Sequence, residues 1–194
     1  MSPNITAIYT ASEPFWNVRE SHIHVPHCFR FAQTLLAAYP EVDAEIVLPA
    51  ILMHDNGYAR VPPETIFAGL TDAPVGYDGD ITRLHEIAGV EIARGILADL
   101  KYDGEKTAHI LEIIDGHDSR EAAISAEDEL VKDADKLWRF CTNGVRISCG
   151  WMQMDADDFL NYVESKLDGW FFTEEAKKMA QSLAKTARAE LVDV

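Results

Sequence analysis

Eight uncharged residues, Ile46 to Met53, run straight into His54 and Asp55. A segment this apolar has to be buried, and a helix ending Leu-Met-His-Asp carries two polar side chains to the edge of a dry core. A buried carboxylate without a partner costs several kcal/mol or more, so Asp55 asks for a cation. Other donors stand in separate apolar segments, with His27 upstream and His85, His117 and Asp135 downstream. Imidazole and carboxylate together suit a divalent ion such as iron, manganese, zinc, nickel, cobalt or magnesium.

The apolar spacing around these donors is helical. From Val25 to Ala38, Phe29, Phe31, Ala32, Leu35 and Leu36 recur at helical intervals, and Pro40 marks the stop. Asp43 or a neighbour caps the next helix, in which Pro49 predicts a kink or a late start. Leu84, Ile87, Ala88, Ile92 and Ile96 form one stripe between Ile81 and Leu100, flanked by His85. Lys106 to Ile114 brings Ile110, Ile113 and Ile114 onto a face with His117. Ala126 to Phe140 groups Leu130, Val131, Ala134 and Trp138, and Asp135 falls on the same inner face. Charged residues are rare at such positions unless paired. Thr173, followed by Glu174 and Glu175, reads as the cap of a last helix to about Leu191. No alternating strand pattern of useful length is present, so the expected fold class is all-α. Between Asn56 and Asp80 the pattern is lost to Pro62, Pro63, Gly69, Pro74, Gly76 and Gly79. A long irregular stretch after a ligand pair is more often functional than filler, and Gly57, Tyr58, Arg60 and Glu64 are its candidate contributors.

The donors sit in five ordered stretches: His27-Cys28-Phe29-Arg30-Phe31, Ala50-Ile51-Leu52-Met53-His54-Asp55, His85-Glu86-Ile87-Ala88-Gly89, Ile113-Ile114-Asp115-Gly116-His117 and Asp133-Ala134-Asp135-Lys136-Leu137. In that order they resemble the HD-domain superfamily, the metal-dependent phosphohydrolases named for their His-Asp pair. The likeness runs from about His22 to Trp138. It implies a single HD-type helical bundle over residues 1–194, with a motif-bearing core of about 22–140 and C-terminal helices over 157–191 packed on it.

The resemblance places His27, His54, Asp55 and Asp135 on the core metal site, with Asp133 as the alternative to Asp135. In the superfamily's dinuclear branch two further histidines hold a second ion and the aspartate of the pair bridges both. His85 and His117 match them, which favours two ions per chain over one. In the mononuclear branch, residues in this part of the cleft contact phosphate or transfer protons instead. His22 and His24 are assigned to loop or supporting positions. A site made of His22, His24 and His27 would leave His54 and Asp55 unexplained, and only His27 begins a helix with the right apolar sequel.

The implied activity is hydrolysis of a phosphate ester or anhydride, with a small nucleotide among the candidate substrates. Lys136 and Arg60 are the preferred cations for the phosphate, ahead of Arg139 and Arg30, and Asp118 can orient an imidazole or accept a proton. Some superfamily members carry the same six donors around a mixed-valent di-iron centre and oxidise organic substrates, which makes an oxygenase the alternative. A third reading is a binding module whose metal only ties helices together. No Gly-Tyr-Pro motif follows, so the cyclic dinucleotide branch is not supported. Asn56-Gly57-Tyr58 stands where many relatives carry an Ile-Gly-Lys type sequel, which leaves Arg60 as the substitute for a loop lysine.

Composition narrows the partners. A formal charge of −16 argues against general nucleic-acid binding but leaves room for a small anionic substrate, because a metal reverses the potential locally. Cys28, Cys141 and Cys149 are odd in number and fit free thiols in a reducing compartment. No signal peptide or membrane-length apolar segment is visible, so a cytoplasmic protein is expected. Trp170, Phe171 and Phe172 either form a homodimer contact or pin the last helix to the core. Trp16 and Tyr58 are candidates for covering the cleft.

Overall fold

A computed structural model describes residues 3–68 and 79–191 of the chain. All regular structure among these residues is helical, as the apolar spacing requires. The α-helices are α1 (Pro3–Ser12), α2 (Ser21–Ala38), α3 (Ala44–Met53), α4 (Pro63–Ala68), α5 (Gly79–Asp99), α6 (Gly104–Ile114), α7 (Ala126–Leu137), α8 (Thr142–Met152), α9 (Ala156–Glu164), α10 (Leu167–Trp170) and α11 (Glu174–Leu191). Short 3₁₀ turns cover Glu13–Phe15, Asn56–Arg60 and Trp138–Phe140. The irregular stretch expected after the His-Asp pair thus holds a 3₁₀ turn and α4 up to residue 68, and residues 69–78 lie outside the described residues.

Local chemistry starts the helices where the sequence places polar caps. The Asp43 carboxylate accepts the Glu45 amide at 2.8 Å, Asp103 accepts that of Lys106 at 2.9 Å, and Ser125 Oγ accepts that of Asp128 at 3.2 Å. Thr173 Oγ1 accepts the Ala176 amide at 3.2 Å and starts α11. Pro49 neither delays nor ends α3, which runs from Ala44 through it.

Helices α2, α3 and α7 pack on one another, and α6 closes against α3. Their shared core includes Ala32, Leu35, Val47, Ile51, Ile113, Val131 and Ala134, all essentially without solvent contact. Burying each large aliphatic side chain is worth about 1.5–3 kcal/mol. Helices α8, α9 and α11 pack together, α11 also touches α7, and its alanine stripe Ala176, Ala180, Ala184 and Ala187 is buried. Of the aromatic cluster, Phe171 is buried in this core, Trp170 packs against it and Phe172 stays 37% exposed.

The stripe expected on α5 is turned. Leu84 and Ile87 face solvent, whereas His85 and Glu86 are fully buried beside Ile81, Ile92 and Ala93. Polar residues take the inward face here because they have partners there.

Candidate metal centre

Helix α2 begins at Ser21, before Pro26, and this decides which histidine enters the core. His24, Cys28, Ala32 and Leu35 lie at intervals of four, four and three, and all four are buried. His27 is off that stripe. Its Nδ1 meets the Ile23 carbonyl at 2.9 Å and its Nε2 lies 3.5 Å from Asn143 Nδ2. The Trp138 ring meets both imidazoles edge-on, with centroids 5.2 Å from His24 and 5.4 Å from His27. His27, the expected ligand, is therefore outside the cluster, and His24 occupies the place expected for it.

His24 Nε2 lies 3.1 Å from His54 Nε2, 3.2 Å from Asp135 Oδ1 and 3.3 Å from Asp55 Oδ2. His54 Nε2 is 3.5 Å from Asp135 Oδ1 and 3.6 Å from Asp55 Oδ2. These four side chains come from α2, the end of α3 and α7, the three helices of the central packing.

A second group meets the other oxygen of Asp55. His117 Nε2 is 3.6 Å and His85 Nε2 is 3.8 Å from Asp55 Oδ1, and the two imidazole nitrogens are 3.3 Å apart. Asp118 Oδ2 adds a carboxylate at 3.7 Å from His85 and 3.9 Å from His117. The ligand-type atoms of His24, His54 and Asp55 fall within 4.8 Å of one another, as do those of Asp55, His85 and His117. Asp55 belongs to both groups.

The opposite ring nitrogens explain why the Nε2 atoms converge. His54 Nδ1 is 2.7 Å from the Ile51 carbonyl, His117 Nδ1 is 3.0 Å from that of Ile114, and His85 Nδ1 is 3.4 Å from that of Ile81. An Nδ1–H donated to a backbone carbonyl leaves Nε2 as the lone-pair nitrogen, the tautomer a metal needs.

The turn that carries His117 and Asp118 is gripped from two sides. Buried Glu86, on α5, accepts the amides of Asp118 (3.0 Å) and Ser119 (2.8 Å) and the Ser119 hydroxyl (2.7 Å). Buried Lys132, on α7, donates to the carbonyls of Gly116 (2.6 Å), His117 (2.8 Å) and Arg120 (2.8 Å). Gly57 lets the 3₁₀ turn Asn56–Arg60 come close to α5, since a Cβ there would stand 1.8 Å from the His85 carbonyl oxygen.

The electrostatics call for positive charge. Burial opposes ionisation of Asp55, yet His54, His117 and His24 hold its carboxyl well below the usual carboxylate range. Burial likewise opposes ionisation of Asp135, and His24, His54 and Arg139 outweigh it. Burial disfavours a proton on His117, but Asp55 and Asp118 push its pKa up to about 9. His24 is also raised, with the Cys28 sulfur, Asp135 and Asp55 overcoming burial. His85, by contrast, is pushed down to about 4 by burial and by His117. Without a metal, protons on two imidazoles balance two buried carboxylates. A divalent ion on the same nitrogen and oxygen atoms supplies that charge directly, so the donor set fits one.

The HD domain family model matches residues 23–139, more than half of the chain. The chain belongs to the HD-domain family. Members of that family are generally metal-dependent hydrolases, and HD domains bind divalent metals. Searches of curated proteins and of solved structures return no significant match.

In this HD domain the structure thus brings together His54, Asp55, His85, His117 and Asp135, with Asp118 at the edge. Asp133 faces away and accepts the amides of Phe172 and Thr173, both at 2.9 Å, and the Thr173 hydroxyl at 2.7 Å. It anchors the start of α11. Arg60 is also directed elsewhere, for its guanidinium pairs with Glu91 at 2.8 Å on the half-exposed face of α5. Lys136 lies 5.4 Å from the Phe172 ring, close enough to Asp135 and Asp118 to feel both carboxylates. Arg139 Nη1 is 3.6 Å from Asp135 Oδ2. Arg30 faces His27 at 3.4 Å, not the cluster. Trp16 is buried and donates Nε1–H to Asn56 at 3.0 Å. Glu86 and Lys132 are contributors that the sequence reading did not weigh, and it weighed His24 only for a loop or supporting position. Only His24 left a signal, the buried stripe it leads on α2.

No helix among the described residues is long and apolar enough to cross a membrane.

Proposed function

We propose that this HD domain hydrolyses a phosphate ester or anhydride, with a small nucleotide among the candidate substrates, using two divalent ions held on either side of Asp55. The observation that carries the reading is the division of Asp55 itself. Its Oδ2 faces His24 and His54, while its Oδ1 faces His85 and His117. His24, His54, Asp135 and Asp55 Oδ2 would hold one ion, and His85, His117 and Asp55 Oδ1 the other. A bound pair of such ions stabilises negative charge on phosphoryl oxygens and brings the pKa of water toward neutrality.

The chain's own residues supply the rest. Asp118, beside the His85 and His117 nitrogens, is placed to take a proton at Oδ2 or return one to the leaving group. Arg139 and Lys136 follow Asp135 on the same stretch of chain and offset the charge that an anionic substrate brings. The more acidic remainder of the protein repels competing anions elsewhere and leaves these cations as the local exception. A purely structural metal needs four closed ligands, and the six converging donors exceed that need. Three free thiols, Cys28, Cys141 and Cys149, suit a reducing, cytoplasmic setting.

The same donor set can serve a di-iron oxygenase, so the experiment must read both chemistries. Protein loaded with manganese or with iron is incubated with a panel of phosphate monoesters and nucleotides while phosphate and dissolved oxygen are followed together. Phosphate release without oxygen uptake is the expected result. Substrate-dependent oxygen uptake by the iron form, with no phosphate released, would replace the hydrolase by the oxygenase.

A further inference from the structure

Within the cluster, three imidazoles turn Nδ1 to a backbone carbonyl, and His85 is the least firmly held of them. Its Nδ1 contact is 3.4 Å, against 2.7 Å for His54 and 3.0 Å for His117. Something else must fix its plane. The Tyr58 ring lies flat against it, with centroids 4.0 Å apart and planes 10° from parallel, and Tyr58 is fully buried. The guanidinium carbon of Arg19 stands 3.9 Å from the Tyr58 centroid. Two groups this close to one ring centroid must occupy opposite faces, so Arg19, Tyr58 and His85 form a three-layer stack. Trp151 approaches the same guanidinium at 5.4 Å.

The backbone under the outer layer is unusual. Arg19 and Glu20 both have positive φ, 51° and 57°, in a stretch without glycine. Such residues are uncommon in the left-handed region, and two in succession cost conformational energy that the surroundings must offset. The pair immediately precedes α2, so the same bend starts the helix that carries His24 and brings the Arg19 side chain over Tyr58.

We propose that Arg19 and Tyr58 are positioning residues for the second ion. The stack sets the plane of His85 and so completes the site that His85 forms with His117 and Asp55. The cation attracts one face of the phenol ring while the imidazole packs on the other, which holds the ring in place from both sides. Groups that orient a ligand imidazole typically change metal affinity about 10- to 100-fold when removed. The inference rests on the two-ion reading given above.

The test titrates chelator-treated protein with Mn²⁺ by calorimetry, for wild type, Arg19→Gln, Arg19→Lys and Arg19→Gly. Circular dichroism and thermal melting are recorded on the same samples. Wild type is expected to bind two ions. In Arg19→Gln one of the two events should lose about 10- to 100-fold in affinity while the other is unchanged. Arg19→Lys, which keeps a cation over the ring, should lose less. Arg19→Gly relieves the positive φ, so it is expected to fold and to show the same selective loss as Arg19→Gln. Two ions bound by Arg19→Gln with wild-type affinities, or both weakened alike, would overturn the inference and leave the two-ion reading standing. A single ion in wild type would overturn both.

Discussion

Asp55 is shared by two groups of imidazoles, so its loss and the loss of one imidazole should differ in kind. Asp55→Asn removes charge from both positions, and both ions are expected to go. His85→Ala removes one donor from one position, and one ion is expected to remain. Equal losses in the two variants would show that the groups are not separate sites. The protonated imidazoles make a second prediction. The pKa of His117 is raised from 6.5 to about 9, so its contribution to stability is complete below about 6.5 and lost as pH rises through about 9. His24 is shifted in the same direction. Metal-stripped protein should therefore melt at progressively lower temperature between pH 6.5 and 9, whereas metal-loaded protein, its imidazoles neutral, should change little. A flat profile for the stripped protein would contradict the charge balance drawn here. At this scale the sequence disclosed most of the donors, because His54, Asp55, His117 and Asp135 each interrupt an apolar pattern. The first position differs, with His24 and not His27 in the cluster. The apolar residues after His27 promote it as the start of the helix, but the helix begins at Ser21 and the inward stripe starts at His24.

The helices do more than deliver ligands. Helix α5 and helix α7 grip the His117–Ser119 turn through Glu86 and Lys132, so the second group depends on contacts outside it. Lys132→Met leaves three carbonyls without their donor while Asp128 keeps Arg120 at 3.0 Å, a loss of about 1–3 kcal/mol by denaturant unfolding. Glu86→Gln keeps the shape but gives up charge-assisted bonds, at about 1.5–3 kcal/mol. A loss under about 0.5 kcal/mol in both, the level of an ordinary surface change, would remove the grip from the account. Gly57→Ala should be at least as damaging, since its Cβ would meet the backbone of α5 rather than a side chain that can turn away. Element positions were legible wherever apolar residues recur with a cap in front, as in α3, α6 and α7. The face of α5 was not. Leu84 and Ile87 dominate its apolar pattern, but buried partners for His85 and Glu86 turn the helix the other way, and those partners lie some thirty residues further along the chain.

Across the whole molecule, the central helices bring donors from distant parts of the chain to one point, and the C-terminal helices support the one that carries Asp135. Asp133 faces α11 while Asp135 faces the cluster, so a single turn of α7 serves both tasks. The all-α class was legible because no stretch alternates. Helices α1 and α8 were not anticipated, since Thr, Asn, Ser and Gly dilute their apolar faces and only packing reveals them. Ions bound among donors from five segments should stabilise the fold as a unit, and removing them with a chelator should lower the melting temperature in a way that added metal reverses. The most direct measurement is the ion content per chain of protein purified without added metal or chelator, for wild type, His24→Ala, His27→Ala and His85→Ala. Two ions in wild type and in His27→Ala, with fewer in His24→Ala and in His85→Ala, is the predicted result. Loss of metal in His27→Ala with retention in His24→Ala, or a single ion untouched by His85→Ala, would contradict the account.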